Sequence, residues 1–223
     1  MNIFSLWLVF FNHIIYNISG DKMENLNYRP PKTKVGERSF NKIIRAGKVL
    51  FAKDGFSSTS INDIIAKAKV AAGTFYIYFD NKLALYLYLL GEYRINIRHI
   101  ASEATKGLDK RLDIERAGLK AFISYANKDP LAYKIIWESL FVDPDIFKEY
   151  YSSFAKSYIY HLKEHVNSGE LRDDLDLETI AYVLMGISNF VGLQIVFKGN
   201  ADEVDIDYIV DEVMKILQNG MFK

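Results

Sequence analysis

The chain contains no cysteine, only four prolines and 13 glycines among 223 residues, and carries no net charge. Without cysteine there is no disulfide framework, thiolate nucleophile, iron–sulfur cluster or cysteine-based zinc site. The absence is compatible with a reducing compartment. Few prolines and glycines leave room for long uninterrupted helices. A balance of 28 basic against 28 acidic side chains excludes a histone-like polycation and an acidic disordered tail. Strand-like alternation, internal repeats and low-complexity tracts are also missing. What is there is ordinary for a folded chain: 50% hydrophobic and 14% aromatic residues, which excludes intrinsic disorder. The length can bury a good core and suits one large domain, or a small one joined to a larger one. The class is all-α.

The neutral total hides an uneven distribution. Residues 23–82 hold 11 basic and five acidic side chains, and the rest of the chain holds 17 and 23. One segment of domain size therefore has an excess of six positive charges and the remainder an equal negative excess. A basic segment of that size is an electrostatic footprint for a polyanion, although a solvated basic face would look the same.

Residues 1–20 are uncharged. That length nominates a membrane span, but Ser5, Asn12, His13 and Asn17 interrupt the apolar run. There is no basic leader and no small-residue cleavage site, so it reads poorly as a signal peptide. Eleven of the 20 residues are Ile, Phe, Asn or Tyr, encoded by A/T-rich codons, and Met23 precedes a normal soluble start. Residues 1–22 are read as an upstream extension, with a membrane-anchored regulator as the competing reading. A basic arm at 23–36 follows, in which Pro30-Pro31 forbid helix.

Beyond the arm the periodicity is helical. Phe40, Ile43, Ile44, Gly47, Leu50 and Phe51 predict an amphipathic helix over 37–53, stopped by Asp54-Gly55. Thr59 or Ser60 caps a short second helix, with Asp63 in the capping-box slot. A third short helix is predicted at about 71–77. Longer ones follow at 82–105, 112–127, 130–141, 144–168, 177–197 and 203–218, with Pro130 and Pro144 at helix starts.

Residues 59–82 carry the functional reading. Helix, tight turn, helix is the layout in which the first helix braces on the DNA backbone and the second enters the major groove. Small residues Ala71, Ala72 and Gly73 let the second helix approach the groove floor, and Thr74 can meet a base edge or a thymine methyl. Tyr76 and Tyr78 can donate to phosphate oxygens, and Lys82 can pair with one. Phe75 and Phe79 read as core.

At these residues the sequence resembles the TetR family of bacterial transcriptional regulators. The matching features are Thr59, Asp63-Ile64, Ala68, Val70, Gly73-Thr74-Phe75-Tyr76, Tyr78-Phe79 and Lys82, with GTFYIYFDNK as the most diagnostic run. The resemblance implies phosphate contacts for Tyr76 and Lys82 and base contacts among Asn62, Ala72 and Thr74. The DNA-binding candidates are thus Thr59, Asn62, Ala72, Thr74, Tyr76, Tyr78 and Lys82. Two positions depart from the family pattern. Lys69 stands where the family usually has glycine, which predicts a left-handed lysine. Ala71 stands where a serine cap is common, which weakens the cap of the reading helix.

Residues 83–223 are read as a helical sensing and dimerising domain. Nine aromatics fall between Tyr133 and Tyr160, more than double the chain average. An aromatic stripe at helical spacing is usually core, but helix bundles also build ligand pockets from such residues. The pocket candidates are Trp137, Phe141, Tyr151, Phe154, Tyr158, Tyr182 and Phe190. The stretch from Phe141 through Phe197 looks more loosely like TetR-type regulators of fatty-acid or acyl-coenzyme A metabolism, which implies a small apolar effector of fatty acyl kind. The family resemblance also implies a homodimer through the last two helices, its two heads reading a pseudo-palindromic double-stranded DNA operator. The predicted function is a cytoplasmic repressor released by its ligand, the helix that begins near Lys82 coupling the two parts.

One catalytic pattern competes. His161-Leu162-Lys163-Glu164-His165 matches H-x-x-E-H, a zinc-peptidase arrangement that helical spacing also produces by chance. The chain is read as no enzyme, with no catalytic residue, cofactor or metal, and a metal-dependent hydrolase stands as the alternative.

Overall fold

A computed structural model describes residues 28–198 and 204–219. The proposed upstream extension, and residues 23–27 of the arm, lie outside the described residues. The described chain is helical as predicted, and its isolated β-bridge pairs Tyr28 with Phe79. Helix α1 (Lys34–Asp54) is followed by α2 (Ile61–Ala68) and α3 (Ala72–Tyr78). Next come α4 (Lys82–Thr105), α5 (Arg111–Lys128), α6 (Pro130–Val142) and α7 (Pro144–Asn167). Helices α8 (Leu177–Lys198) and α9 (Ile206–Asn219) complete the order.

Local chemistry sets these limits. Helix α1 starts three residues inside the predicted arm, because the Thr33 hydroxyl accepts from the Gly36 N–H at 3.0 Å and caps it. The proline pair stops helix only up to that cap. At α2 the full capping box forms between Ser60 and Asp63. Asp129 and Asp143 cap α6 and α7, each followed by a proline at the first helical position. Helix α9 begins at Ile206 rather than 203, where Asp205 accepts from the Tyr208 N–H at 2.9 Å.

The turn between α2 and α3 is a Schellman motif. The Val70 N–H reaches the Ile65 carbonyl and the Lys69 N–H the Ala66 carbonyl. That geometry needs a left-handed residue, and Lys69 supplies it at φ 53°, ψ 51°. Among the described residues it is the only non-glycine with positive φ. For a residue with a Cβ this conformation costs about 1 kcal/mol.

The arm is strapped across the end of α3. Arg29 donates its backbone N–H to the Tyr78 carbonyl at 2.8 Å, and its guanidinium reaches the Tyr76 carbonyl at 3.1 Å and Asp80 at 2.6 Å. The Tyr28 ring packs on Phe40, Phe79 and Tyr88.

A single buried cluster runs from the head into the following helices. It joins Phe40, Ile43, Phe51, Ile64, Phe75 and Phe79 to Leu85, Leu89 and Leu90 of α4, to Ile135 and Ile136 of α6, and to Tyr150 of α7. Residue 82 is therefore a change of element without a gap in packing. Gly47 makes the α1–α4 approach possible, since a Cβ there would lie 2.6 Å from a Leu85 methyl. A second cluster, including Leu119, Ile123, Ile195 and Val210, binds α5, α8 and α9.

Candidate nucleic-acid interface and internal cavity

Helix α3 is short and sharply two-sided. Phe75, Tyr78 and Phe79 face inward. Ala72, Gly73, Tyr76 and Ile77 face out, and a Cβ built on Gly73 meets nothing within 4 Å. Tyr76 is 52% exposed and Ile77 58%. Thr74 is partly exposed, and Asn62 is exposed on α2. Ala72, Gly73, Tyr76 and Ile77 thus form an outward face along the reading helix. Ala71 makes no side-chain cap, as its methyl dictates.

Two expected DNA contacts, Thr59 and Tyr78, are corrected, and Lys82 is placed against the head. Thr59 is buried and donates its hydroxyl to the Gly55 carbonyl at 2.7 Å. Tyr78 is buried and donates to the Gly36 carbonyl at 3.0 Å, tying α3 to α1. Lys82 spends two of its three donors on the Phe56 and Thr59 carbonyls at 2.5 and 2.8 Å, with its ammonium over the Phe56 ring. All three bond within the head, and Lys82 stays partly exposed. Ile77 was missed by sequence reasoning. Its spacing from Ala72, Gly73 and Tyr76 on a 3.6-residue helix would have placed it on the outward face.

Glu138 on α6 grips the same Gly55-Phe56 corner by accepting the Phe56 N–H. Burial raises its pKa; the Phe56 N–H and the nearby Lys82 charge pull the other way. Close by, Lys48 of α1 pairs with Asp129 at the start of α6, and the Tyr86 hydroxyl donates to the Ile135 carbonyl at 2.6 Å.

Beyond the head, a cavity of about 730 Å³ lies among α4, α5, α6, α7 and α8. Of the pocket candidates, Tyr151, Phe154 and Tyr158 line it, with Ile97, Phe122, Tyr133 and Met185. Four pocket candidates do not. Trp137 is not in the lining and packs on Tyr133, Phe147 and Phe190. Phe141, at 85% exposure, and Tyr182 and Phe190 face outward. These rings lie on the outer sides of α6 and α8, since an apolar stripe does not reveal whether it faces a cavity or the exterior.

Sequence reasoning also missed the polar part of the cavity wall. Arg111 pairs with Glu115, Tyr158 donates to the other Glu115 oxygen, and the guanidinium lies over the Tyr158 ring. Burial, and then the Glu115 charge, raise the Tyr158 pKa, so its phenol stays a donor. The H-x-x-E-H residues sit at one end of this wall. His165 Nδ1 lies 2.9 Å from Glu170, which also accepts the Arg111 backbone N–H. Among the described residues, no three His, Asp or Glu side chains converge as a metal site.

Residues 43–89 match the family model for bacterial regulatory proteins of the tetR family. Over 193 residues the chain is 22% identical to the HTH-type transcriptional regulator YdgC of Bacillus subtilis, covering 83% of this chain and 94% of that one. The fold is similar to the transcriptional regulator FadR from Bacillus subtilis in complex with stearoyl-CoA, with TM-score 0.72 at 20% identity, over 82% of this chain and 100% of that one. It is also similar to the fatty acid degradation regulator FadR from Bacillus halodurans, with TM-score 0.71 at 20% identity, over 82% and 96% of the two chains. The geometry of the head and the match over it agree: residues 43–89 form a helix-turn-helix head similar to that of bacterial regulatory proteins of the tetR family, and the chain is a DNA-binding transcriptional regulator.

Proposed function

We propose that the protein is a cytoplasmic homodimeric repressor that leaves a pseudo-palindromic operator when an apolar ligand with an acyl chain enters its cavity. The observation that carries the DNA half is the clear outward face of α3. Thr74, Tyr76 and Ile77, with Ala72 and Asn62, read bases and phosphates there, while Thr59, Tyr78 and Lys82 shape the head. Head and sensor divide near residue 82 in function, though not in packing.

The ligand half rests on the cavity. Its 730 Å³ falls within the range of about 300–1,000 Å³ usual for small-molecule sites. Tyr151, Phe154 and Tyr158 offer an apolar wall beside the Arg111–Glu115 pair, which suits a long chain with a polar end. The relative solved with stearoyl-CoA shares this fold and supports an acyl ligand.

The dimer reading rests on α8 and α9. Helix α8 is long and apolar enough to cross a membrane, yet only 22% of its most apolar window is buried within the protomer. Tyr182, Val183, Phe190 and Phe197 on α8, and Tyr208 and Ile216 on α9, are exposed. A face of that kind seeks a partner. Gly186 opens onto free space, which permits close approach of a second α8.

The test measures fluorescence anisotropy on duplexes from upstream of the gene, with and without stearoyl-CoA, free stearate and free coenzyme A. Sequence-selective binding weakened by an acyl compound but not by coenzyme A supports the reading. Selective binding indifferent to all three defeats the ligand half and leaves the DNA half standing.

A further inference from the structure

The head carries a second charged surface that the reading helix does not use. Lys42 and Arg45 of α1 face Lys67 and Lys69 at the end of α2 across a groove of about 340 Å³. Its floor is apolar, formed by Ala46, Val49 and Ala68. All four cations are exposed, and none forms an ion pair among the described residues. Four like charges around one groove repel one another unless an anion joins them.

Lys69 makes the arrangement pointed. The Schellman turn calls for glycine, yet a lysine holds the left-handed conformation. Its backbone conformation is unfavourable, and its side chain gains no ion pair within the protomer to offset this. An outlier of this kind motivates a search for function in the side chain. Only Val70 separates Lys69 from Ala71, the N-cap of the reading helix, so the groove ends next to the start of that helix.

We propose that the groove is a phosphate-binding track for the sugar–phosphate backbone of duplex DNA beside the bases read by α3, with Lys69 as its central cation. The inference rests on the reading of α3 as the base-contacting element. It adds a sequence-independent contact: the groove contributes attraction and register, and α3 contributes discrimination.

The experiment compares the full chain with Lys69→Gly and with Lys42→Gln/Arg45→Gln. Lys53→Gln removes an exposed head cation outside the groove and serves as control. Binding is read by anisotropy on two duplexes, an operator recovered by in vitro selection and an unrelated sequence, across a potassium chloride series. Thermal unfolding is recorded alongside.

Lys69→Gly is expected to raise Tm by roughly 2–4 °C, because glycine fits the turn. The same variant is expected to weaken binding to both duplexes by the same several-fold factor. Its plot of log K against log salt should be shallower by about 0.9 for each phosphate that is no longer neutralised, closing the gap to wild type about 3.5-fold over a fourfold rise in salt. The double variant should lose affinity in the same way, and Lys53→Gln should lose less. Groove variants that bind both duplexes like wild type, or no worse than Lys53→Gln, overturn the inference. So does a loss restricted to the operator, which would make the groove part of base readout. Loss of stabilisation by inorganic phosphate with DNA binding intact would mark a small-anion site and overturn it too. A wild-type chain that binds no duplex sinks the reading of α3 together with this one.

Discussion

Single side chains in this protein often serve the fold where their chemistry suggests DNA. Tyr78 carries a phenol on the reading helix, yet it is buried against the Gly36 carbonyl. Tyr76, two residues away, is exposed and keeps its hydroxyl for solvent or phosphate. Tyr76→Phe should weaken operator binding several-fold with Tm unchanged, whereas Tyr78→Phe should lower Tm by a few degrees and affect DNA only through stability. Gly47 gives a purely steric case. The Leu85 methyl occupies the place of a Cβ, so Gly47→Ala should destabilise by about 1–3 kcal/mol, read by denaturant unfolding. At the α2 cap the Asp63 carboxylate is held below its ordinary pKa, first by the Ser60 hydroxyl and then by its backbone N–H. A depressed carboxylate contributes stability above its unfolded pKa and loses it as pH falls through the folded one. The Tm deficit of Ser60→Ala should therefore be full at neutral pH and shrink below the ordinary carboxylate range.

At the scale of elements, α6 joins cavity to head. Tyr133 and Ile136 line the cavity, Ile135 enters the shared core, and Glu138 holds the Phe56 N–H. Contact between cavity and head is therefore not confined to the helix that begins at Lys82. Glu138→Gln keeps an acceptor for Phe56 and removes a charge that burial disfavours, so its stability should match wild type or exceed it slightly. Glu138→Ala leaves the N–H unpaired and should cost about 1–2 kcal/mol. The alanine variant should also show a smaller effect of ligand on DNA affinity. Helix identity was largely legible in the sequence, because proline pairs with a capping aspartate at 129–130 and 143–144 and because GTFYIYFDNK marks α3. The fate of donors was not legible. Tyr78 and Lys82 found carbonyls far along the chain, which no local pattern announces, while Thr59 turned back to the Gly55 carbonyl four residues before it. Nor could an aromatic stripe tell cavity from exterior, so Tyr151, Phe154 and Tyr158 turned inward while Phe141, Tyr182 and Phe190 turned out.

For the whole molecule, the continuous core from Phe40 to Tyr150 predicts cooperative unfolding. Head and central sensor helices should melt in one transition by far-ultraviolet and tyrosine signals alike; a separate early transition of the head would contradict this. On the proposed function the same continuity carries the effector's action to the head, and linkage makes that effect reciprocal. Whatever factor the ligand removes from operator affinity, the operator must remove from ligand affinity, a symmetry that calorimetry with and without duplex can check. The charge pattern takes its meaning at this scale as well. A neutral chain with a basic head approaches DNA in one orientation, its acidic remainder turned away.

The strap formed by Tyr28 and Arg29 has a practical consequence for handling the protein. Arg29 clamps the chain to Tyr76, Tyr78 and Asp80 at the end of the reading helix. The strap thus fixes Tyr28 and Arg29 at the end of the reading helix. A label joined directly to Tyr28 in a shortened chain should therefore disturb the operator affinities it is meant to report.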